Sequence, residues 1–155
     1  MFFKLAIGSL AAAVAFLQVN AESHTDTFNN KCGRGTPYLY SQTGQLLSTG
    51  EAWTSDGEAL GLIATHLLGG CGTNGEECTL VEATLKNGAS SADISLIPPH
   101  VFSVTSGLGY YDGCDDDGTD CTSASCPKAY RKPGDNFAIV GCSADNVNLA
   151  FTFCD

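Results

Sequence analysis

Five carboxylates fall within nine residues at Asp112-Gly113-Cys114-Asp115-Asp116-Asp117-Gly118-Thr119-Asp120. Oxygen ligands at this density suit a hard cation, and Asp115, Asp117 and Asp120 could hold Ca²⁺. The stretch lacks the bidentate Glu that closes a calcium loop, so a solvated acidic loop is the alternative reading. Tyr38 and Tyr40 share a face of one expected strand, and Tyr110-Tyr111 lead into the acidic loop. Aromatic faces stack on pyranose rings, and carboxylates accept hydroxyl hydrogen bonds. These four tyrosines are therefore candidate carbohydrate-binding residues. Trp53, the single tryptophan, is expected to pack under the fold instead. If cleavage after Ser23 left His24 at the N-terminus, its amine and imidazole could chelate Cu²⁺ with His66 or His100. No Ser/His/Asp or Cys/His nucleophile motif and no phosphate loop is present, and no resident cofactor is expected.

Short strands must position these groups. Gly and Pro punctuate the chain at short intervals, and the runs between them alternate with period two. Val147, Leu149, Phe151 and Phe153 alternate with Asn148, Ala150 and Thr152, the pattern of a strand with one buried face. Thr79 to Leu85 alternates likewise. Further strands are predicted over Thr25–Asn30, Pro37–Ser41, Glu51–Ser55, Leu60–His66, Asp93–Ile97, Val101–Thr105 and Phe137–Cys142. Only Ser123–Tyr130 is expected to make a helical turn. Many short strands with frequent turns predict an all-β antiparallel sandwich or barrel.

A chain of 155 residues fits one modest domain. Seven Lys+Arg against seventeen Asp+Glu leave no basic stripe for nucleic acid, and the acidic surface would be repelled by an anionic membrane face. Met1-Phe2-Phe3-Lys4 followed by the apolar run Leu5–Leu17 and the small-x-small Val19-Asn20-Ala21 reads as a secretory signal peptide over residues 1–21. Ala21-Glu22-Ser23 offers a rival cleavage site. The run is shorter than the roughly 20 residues that span a bilayer. The mature domain, residues 22–155, is expected to be extracellular and monomeric. It contains no Asn-x-Ser/Thr acceptor. All eight cysteines lie in it, and an even count in an oxidising compartment predicts four disulfides whose pairing spacing alone leaves open.

The order of segments resembles the thaumatin-like proteins over nearly the whole mature chain. The resemblance rests on Thr27-Phe28-Asn29-Asn30-Lys31-Cys32, Leu47-Ser48-Thr49-Gly50-Glu51-Ala52-Trp53-Thr54, Cys71-Gly72 with Cys78, and Thr79-Leu80-Val81-Glu82. It continues through Ala92-Asp93-Ile94-Ser95-Leu96 and Phe102-Ser103-Val104, then Gly113-Cys114, Cys126-Pro127-Lys128-Ala129-Tyr130 and Thr152-Phe153-Cys154. The short form is similar to the small secreted "glycopeptide" proteins of mushroom-forming fungi.

The resemblance implies a disulfide-stapled antiparallel sandwich with Cys32 joined to Cys154, Cys71 to Cys78, Cys114 to Cys142 and Cys121 to Cys126. Full-length members carry a cysteine-rich second lobe between segments like Cys121 and Cys126. Here only Thr122-Ser123-Ala124-Ser125 intervenes, so that lobe is missing, with one wall of the family's acidic cleft. Of the cleft's Arg, Glu and three Asp, Glu82 and Asp93 match. Ser90 stands where a second Asp would fall, Thr79-Leu80-Val81 has no Arg, and Thr122-Ser123-Ala124 supplies no Asp. The implied function is binding of cell-wall polysaccharide such as β-1,3-glucan, with a defence or antifungal role. One alternative is a weak endo-β-1,3-glucanase with Glu82 and Asp93 as its carboxylate pair; such a pair needs a separation of roughly 5–5.5 Å for retention or 6.5–9.5 Å for inversion. Another is a secreted effector that binds a protein partner.

Overall fold

The computed structural model describes residues 21–68 and 70–155. The expected signal peptide lies outside the described residues except for Ala21. The rest is all β. The strands are β1 (Ser23–Asn30), β2 (Thr36–Tyr40), β3 (Leu46–Ser48), β4 (Trp53–Asp56), β5 (Ala59–Leu67) and β6 (Leu80–Leu85), then β7 (Ser90–Ser95), β8 (Ser106–Tyr111), β9 (Gly118–Cys121), β10 (Val140–Cys142) and β11 (Asn148–Phe153). They form a five-stranded sheet in the order β4-β1-β11-β8-β9 and a six-stranded sheet in the order β10-β7-β6-β5-β2-β3. Among the described residues no helix is long and apolar enough to cross a membrane.

Alternation puts the apolar set between the sheets. Leu62, Ala64, Val81, Ala83, Leu85 and Ile94 come from the six-stranded sheet and meet Leu108, Leu149, Phe151 and Phe153 from the other. Phe28 from β1 packs on this core, its ring 5.5 Å from Phe151. Pairing is antiparallel throughout, except that β1 and β11 run parallel, with Phe28 beside Phe151. The four disulfides are Cys32–Cys154, Cys71–Cys78, Cys114–Cys142 and Cys121–Cys126, the set that the resemblance implied. The first spans 122 residues and clamps the end of β1 to the end of β11. In the chain-entropy picture a closure of this length stabilises by about 4–5 kcal/mol.

Several strands differ from expectation. Val101–Thr105 is not a strand. Thr79 and Ser103 exchange hydrogen bonds, the Thr79 N–H donating to Ser103 Oγ (3.1 Å) and the Ser103 N–H to Thr79 Oγ1 (2.9 Å). Such side-chain bonding competes with a backbone ladder. The strand is instead the next segment, β8, which carries Tyr110 and Tyr111. The acidic stretch ends in β9, paired antiparallel to β8, and β3 is a further short edge strand. Ser123–Tyr130 makes no helix: the Cys126 N–H bonds back to the Ser123 carbonyl in a tight turn closed by Cys121–Cys126. The expected strand at Phe137–Cys142 is ordered as sheet only over its last three residues.

Candidate functional site

The β6–β7 hairpin sets Glu82 directly across from Asp93, and Thr84 across from Ser91. Its turn closes by the Ala89 N–H bonding to the Lys86 carbonyl (3.0 Å), with Gly88 at a positive φ of 75°. Directly opposed residues on one face have Cβ atoms about 4.5–5.5 Å apart, so two carboxyl groups here are neighbours. Inward alternation of Val81, Ala83, Ala92 and Ile94 turns Glu82, Thr84, Ser91 and Asp93 onto the outer face of the six-stranded sheet. On the neighbouring strand the register shifts between Ala59 and Leu62. Gly61 sits in this bulge at a φ of 60°, and an added Cβ would lie 3.0 Å from the Gln42 side chain. Its N–H donates to Thr84 Oγ1 at 3.1 Å.

Together these residues form a shallow depression of about 210 Å³ lined by Gly61, Glu82, Ala83, Thr84, Ser91 and Asp93. Asp93 is half-buried, and its Oδ2 is shielded without a hydrogen-bond partner in the protein. Loss of solvation pushes the Asp93 carboxyl up to about 7, with the like charge of Glu82 adding to the effect. The site can therefore offer a carboxyl that still carries a proton near neutral pH, an exposed carboxylate and two hydroxyls. These are donors and acceptors suited to a polyhydroxylated ligand. The other positions of the acidic cleft contribute nothing here. Ser90 is buried in the hairpin turn, where its Oγ donates to the Lys86 carbonyl (3.0 Å) and accepts from the Lys86 N–H (3.0 Å).

The four tyrosines do not form one platform. Tyr38 and Tyr40 stack with ring centroids 5.9 Å apart, and the Tyr40–Ile63–Glu82 register puts them on the same face as the depression, two strands away. Tyr40 is buried, however, and Tyr38 half-buried. Tyr110 points into the core and donates its hydroxyl to the Val140 carbonyl (3.0 Å). It is a packing residue, and burial pushes its phenol up. Tyr111 lies on the opposite side of β8 and donates to the Thr25 carbonyl (3.2 Å), far from Glu82 in the topology. Trp53 is half-buried and packs against the core, as expected.

Among the described residues no three His, Cys, Asp or Glu side chains converge in a group that could hold a metal ion. The acidic stretch disperses its carboxylates. Asp115 accepts from the backbone N–H groups of Asp112 and Gly113, Asp112 from Asn148, and Asp120 lies on β9 beside Thr152. Asp117 occupies a turn closed onto the Cys114 carbonyl. The histidines are equally separate. His24 is buried, its Nδ1 2.7 Å from the Val147 carbonyl and its Nε2 3.1 Å from Glu22. His66 is buried against Phe153, and His100 bonds the Gly75 carbonyl. The Ca²⁺ and Cu²⁺ ligand sets thus have no geometric counterpart among these residues.

Two features escaped the sequence reading. Asp26 is fully buried on the inner face of β1 with neither carboxyl oxygen partnered. Its alternation with His24 and Phe28 was the available signal. Phe137 and Ile139, at the approach to β10, are 61% and 56% exposed.

No protein-family model matches the chain, and no curated protein does. Solved structures do. The thaumatin-like xylanase inhibitor TLXI superposes with a TM-score of 0.53 at 20% identity, over 85% of this chain and 99% of that one. The protein elicitor MoHrip2 from Magnaporthe oryzae superposes with a TM-score of 0.51 at 16% identity, over 87% of this chain and 100% of that one. The chain has the thaumatin-like fold.

Proposed function

We propose that this thaumatin-fold protein is secreted and binds cell-wall polysaccharide, β-1,3-glucan foremost, through the depression at Glu82 and Asp93, in a defence-related role. The observation that carries the reading is the Glu82–Asp93 register in an open depression with Thr84 and Ser91. A carboxyl that donates, a carboxylate that accepts and two hydroxyls match the alternating donor and acceptor edge of a sugar. The four disulfides fit an oxidising, extracellular setting. A defence role is in keeping with the inhibitor and elicitor that share the fold.

One feature favours a second reading. A carboxyl raised to about 7 beside another carboxylate is the pairing that glycoside hydrolysis uses, one group as acid and the other as base or nucleophile. A single experiment separates the two. The purified protein is incubated with insoluble β-1,3-glucan, and depletion from the supernatant and release of reducing ends are both measured. Depletion without release is expected, and Glu82→Gln or Asp93→Asn should weaken retention about tenfold, on the order of 1.4 kcal/mol. Release that disappears in Glu82→Gln would establish hydrolysis. Neither depletion nor release would refute both readings and leave a protein partner as the ligand.

A further inference from the structure

We propose that Phe137 is the stacking platform for the sugar held at Glu82 and Asp93, and that the bound unit is a neutral hexose. This rests on the glycan-binding reading and extends it to residues that neither the sequence nor the resemblance singled out.

The placement follows from pairing. Val140 pairs with Ala92, Gly141 with Ser91 and Cys142 with Ser90. Ala138 and Cys142 are buried and Val140 packs against the core, whereas Phe137, Ile139 and Gly141 are exposed. Within β10 alternation turns Gly141 to the outer face that carries Ser91 and Asp93, and Phe137 and Ile139 precede the strand with their side chains exposed. Beyond β10 the edge of β7 is covered by Tyr130. The Leu96 N–H donates to the Tyr130 carbonyl (2.8 Å) and the Tyr130 N–H to the Ile94 carbonyl (2.9 Å). The Tyr130 bridge to Ser95, with Ala129 buried in the core, directs the Tyr130 ring to the same outer face. Phe137 meets it edge-on, ring centroids 6.1 Å apart at 68°. Tyr130 and Phe137 thus put an aromatic pair on the same face as Asp93, beside the depression rather than in its lining.

The segment that presents Phe137 is anchored at several points. Arg131 Nη2 donates to the Ala124 and Cys126 carbonyls (2.7 and 2.9 Å). Asp135 accepts from the backbone N–H groups of Arg131 and Lys132 (3.0 and 3.2 Å), and Cys121–Cys126 closes the turn before it. An aromatic ring held in place but left open to solvent suits a ligand with one apolar face, because little conformational freedom is lost on binding. A pyranose has that face in its C–H groups and a hydroxyl rim around it. Stacked on Phe137, it would turn its rim toward Asp93, which is next to Ser95 on that face of β7, and toward Glu82 opposite it. The Glu82 carboxylate at the rim disfavours a uronic acid by like-charge repulsion, so a neutral hexose is the better occupant.

Gly141 supplies a test that leaves the carboxyl pair intact. A Cβ added there meets only the Ser90 carbonyl, at 3.9 Å, so Gly141→Leu fits the backbone while its side chain overhangs Ser91. A soluble β-1,3-glucan oligomer is titrated by calorimetry into the natural protein, Phe137→Ala, Phe137→Trp and Gly141→Leu, with thermal melts as the fold control. Phe137→Ala and Gly141→Leu should each weaken binding at least tenfold with unchanged melting, and Phe137→Trp should bind as tightly as Phe or better. A uronic-acid oligomer should bind at least tenfold more weakly. Phe137→Ala binding within twofold of the natural protein would overturn the platform and leave the glycan reading standing. Equal affinity for the uronic-acid oligomer would overturn the neutral occupant. No binding by the natural protein would overturn both the platform and the glycan reading.

Discussion

Each sheet removes one carboxyl group from water, and the two cases differ in a way that separates a structural cost from a binding site. Asp26 lies on the inner face of the five-stranded sheet, paired in register with Trp53 on one side and Leu149 on the other. It is fully buried, neither oxygen has a partner, and lost solvation alone pushes it up to about 8. Asp93 lies on the outer face of the six-stranded sheet, half-buried, opposite Glu82, and reaches about 7 for the same first reason plus a like charge. The direction of the shift is the same, so the shift alone does not mark a site. Only at Asp93 is there a concavity a ligand can enter and a second polar group for it to meet.

The largest expected effect is at Asp26. Below the ordinary carboxyl value of 3.8 this group is protonated in both the folded and the unfolded chain. Between 3.8 and about 8 the unfolded chain ionises while the folded one holds its proton, so stability falls as pH rises through that window. At about 1.4 kcal/mol per pH unit, the total is on the order of 5 kcal/mol. Urea midpoints of the natural protein should fall from pH 4 to pH 8, and Asp26→Asn should remove most of that fall. Smaller contributions then remain. Asp93 acts in the same direction as Asp26. His66, which burial holds below the ordinary imidazole value, acts in the opposite one, with stability lost as pH falls through the imidazole range. An unchanged slope in Asp26→Asn would show that the buried carboxyl is not its source.

The next effect crosses the two carboxyls in a binding assay. Asp26→Asn should retain β-1,3-glucan as the natural protein does, because its side chain faces the core. Asp93→Asn should lose about tenfold in retention while changing the urea midpoint less than Asp26→Asn does. Equal losses in retention would mean that the depression is not where the glycan sits, and the contrast between the two groups would collapse.

The sequence revealed strands better than it revealed what each strand faces. The alternation at Val147, Leu149, Phe151 and Phe153 predicted β11 within a residue, because a one-faced strand writes its burial into period two. β8 was misplaced because Ser106-Gly107-Leu108-Gly109 is poor in strand formers, whereas Val101–Thr105 alternates well. The reciprocal Thr79–Ser103 bonds that hold the latter out of the sheet join residues 24 apart, beyond any local pattern. Glu82 and Asp93 were found through the resemblance, and only the hairpin register showed that they face each other. Phe137 was within an expected strand, yet its place on the outer face depends on Tyr130 bridging Ser95, a long-range fact. Asp26 had period two as its signal, but an acidic side chain is so seldom buried without a partner that the pattern pointed away from the core.

The smallest effect tests which cause dominates at Asp93. Burial comes first and the Glu82 charge second, so Glu82→Gln should lower the Asp93 titration midpoint from about 7 by the smaller part of its displacement. The midpoint should stay well above 3.8. Carboxyl-carbon NMR resolves the two aspartates separately, and Asp26 serves as the internal reference because only desolvation displaces it. Its midpoint should not move in Glu82→Gln. A return of Asp93 to the ordinary carboxyl value would make the like charge its main cause and the site an exposed pair. A midpoint that did not move at all would mean that the two groups, though opposed in register, are screened from each other by solvent. A modest decrease with Asp26 unmoved is what a half-buried acid beside an exposed carboxylate requires.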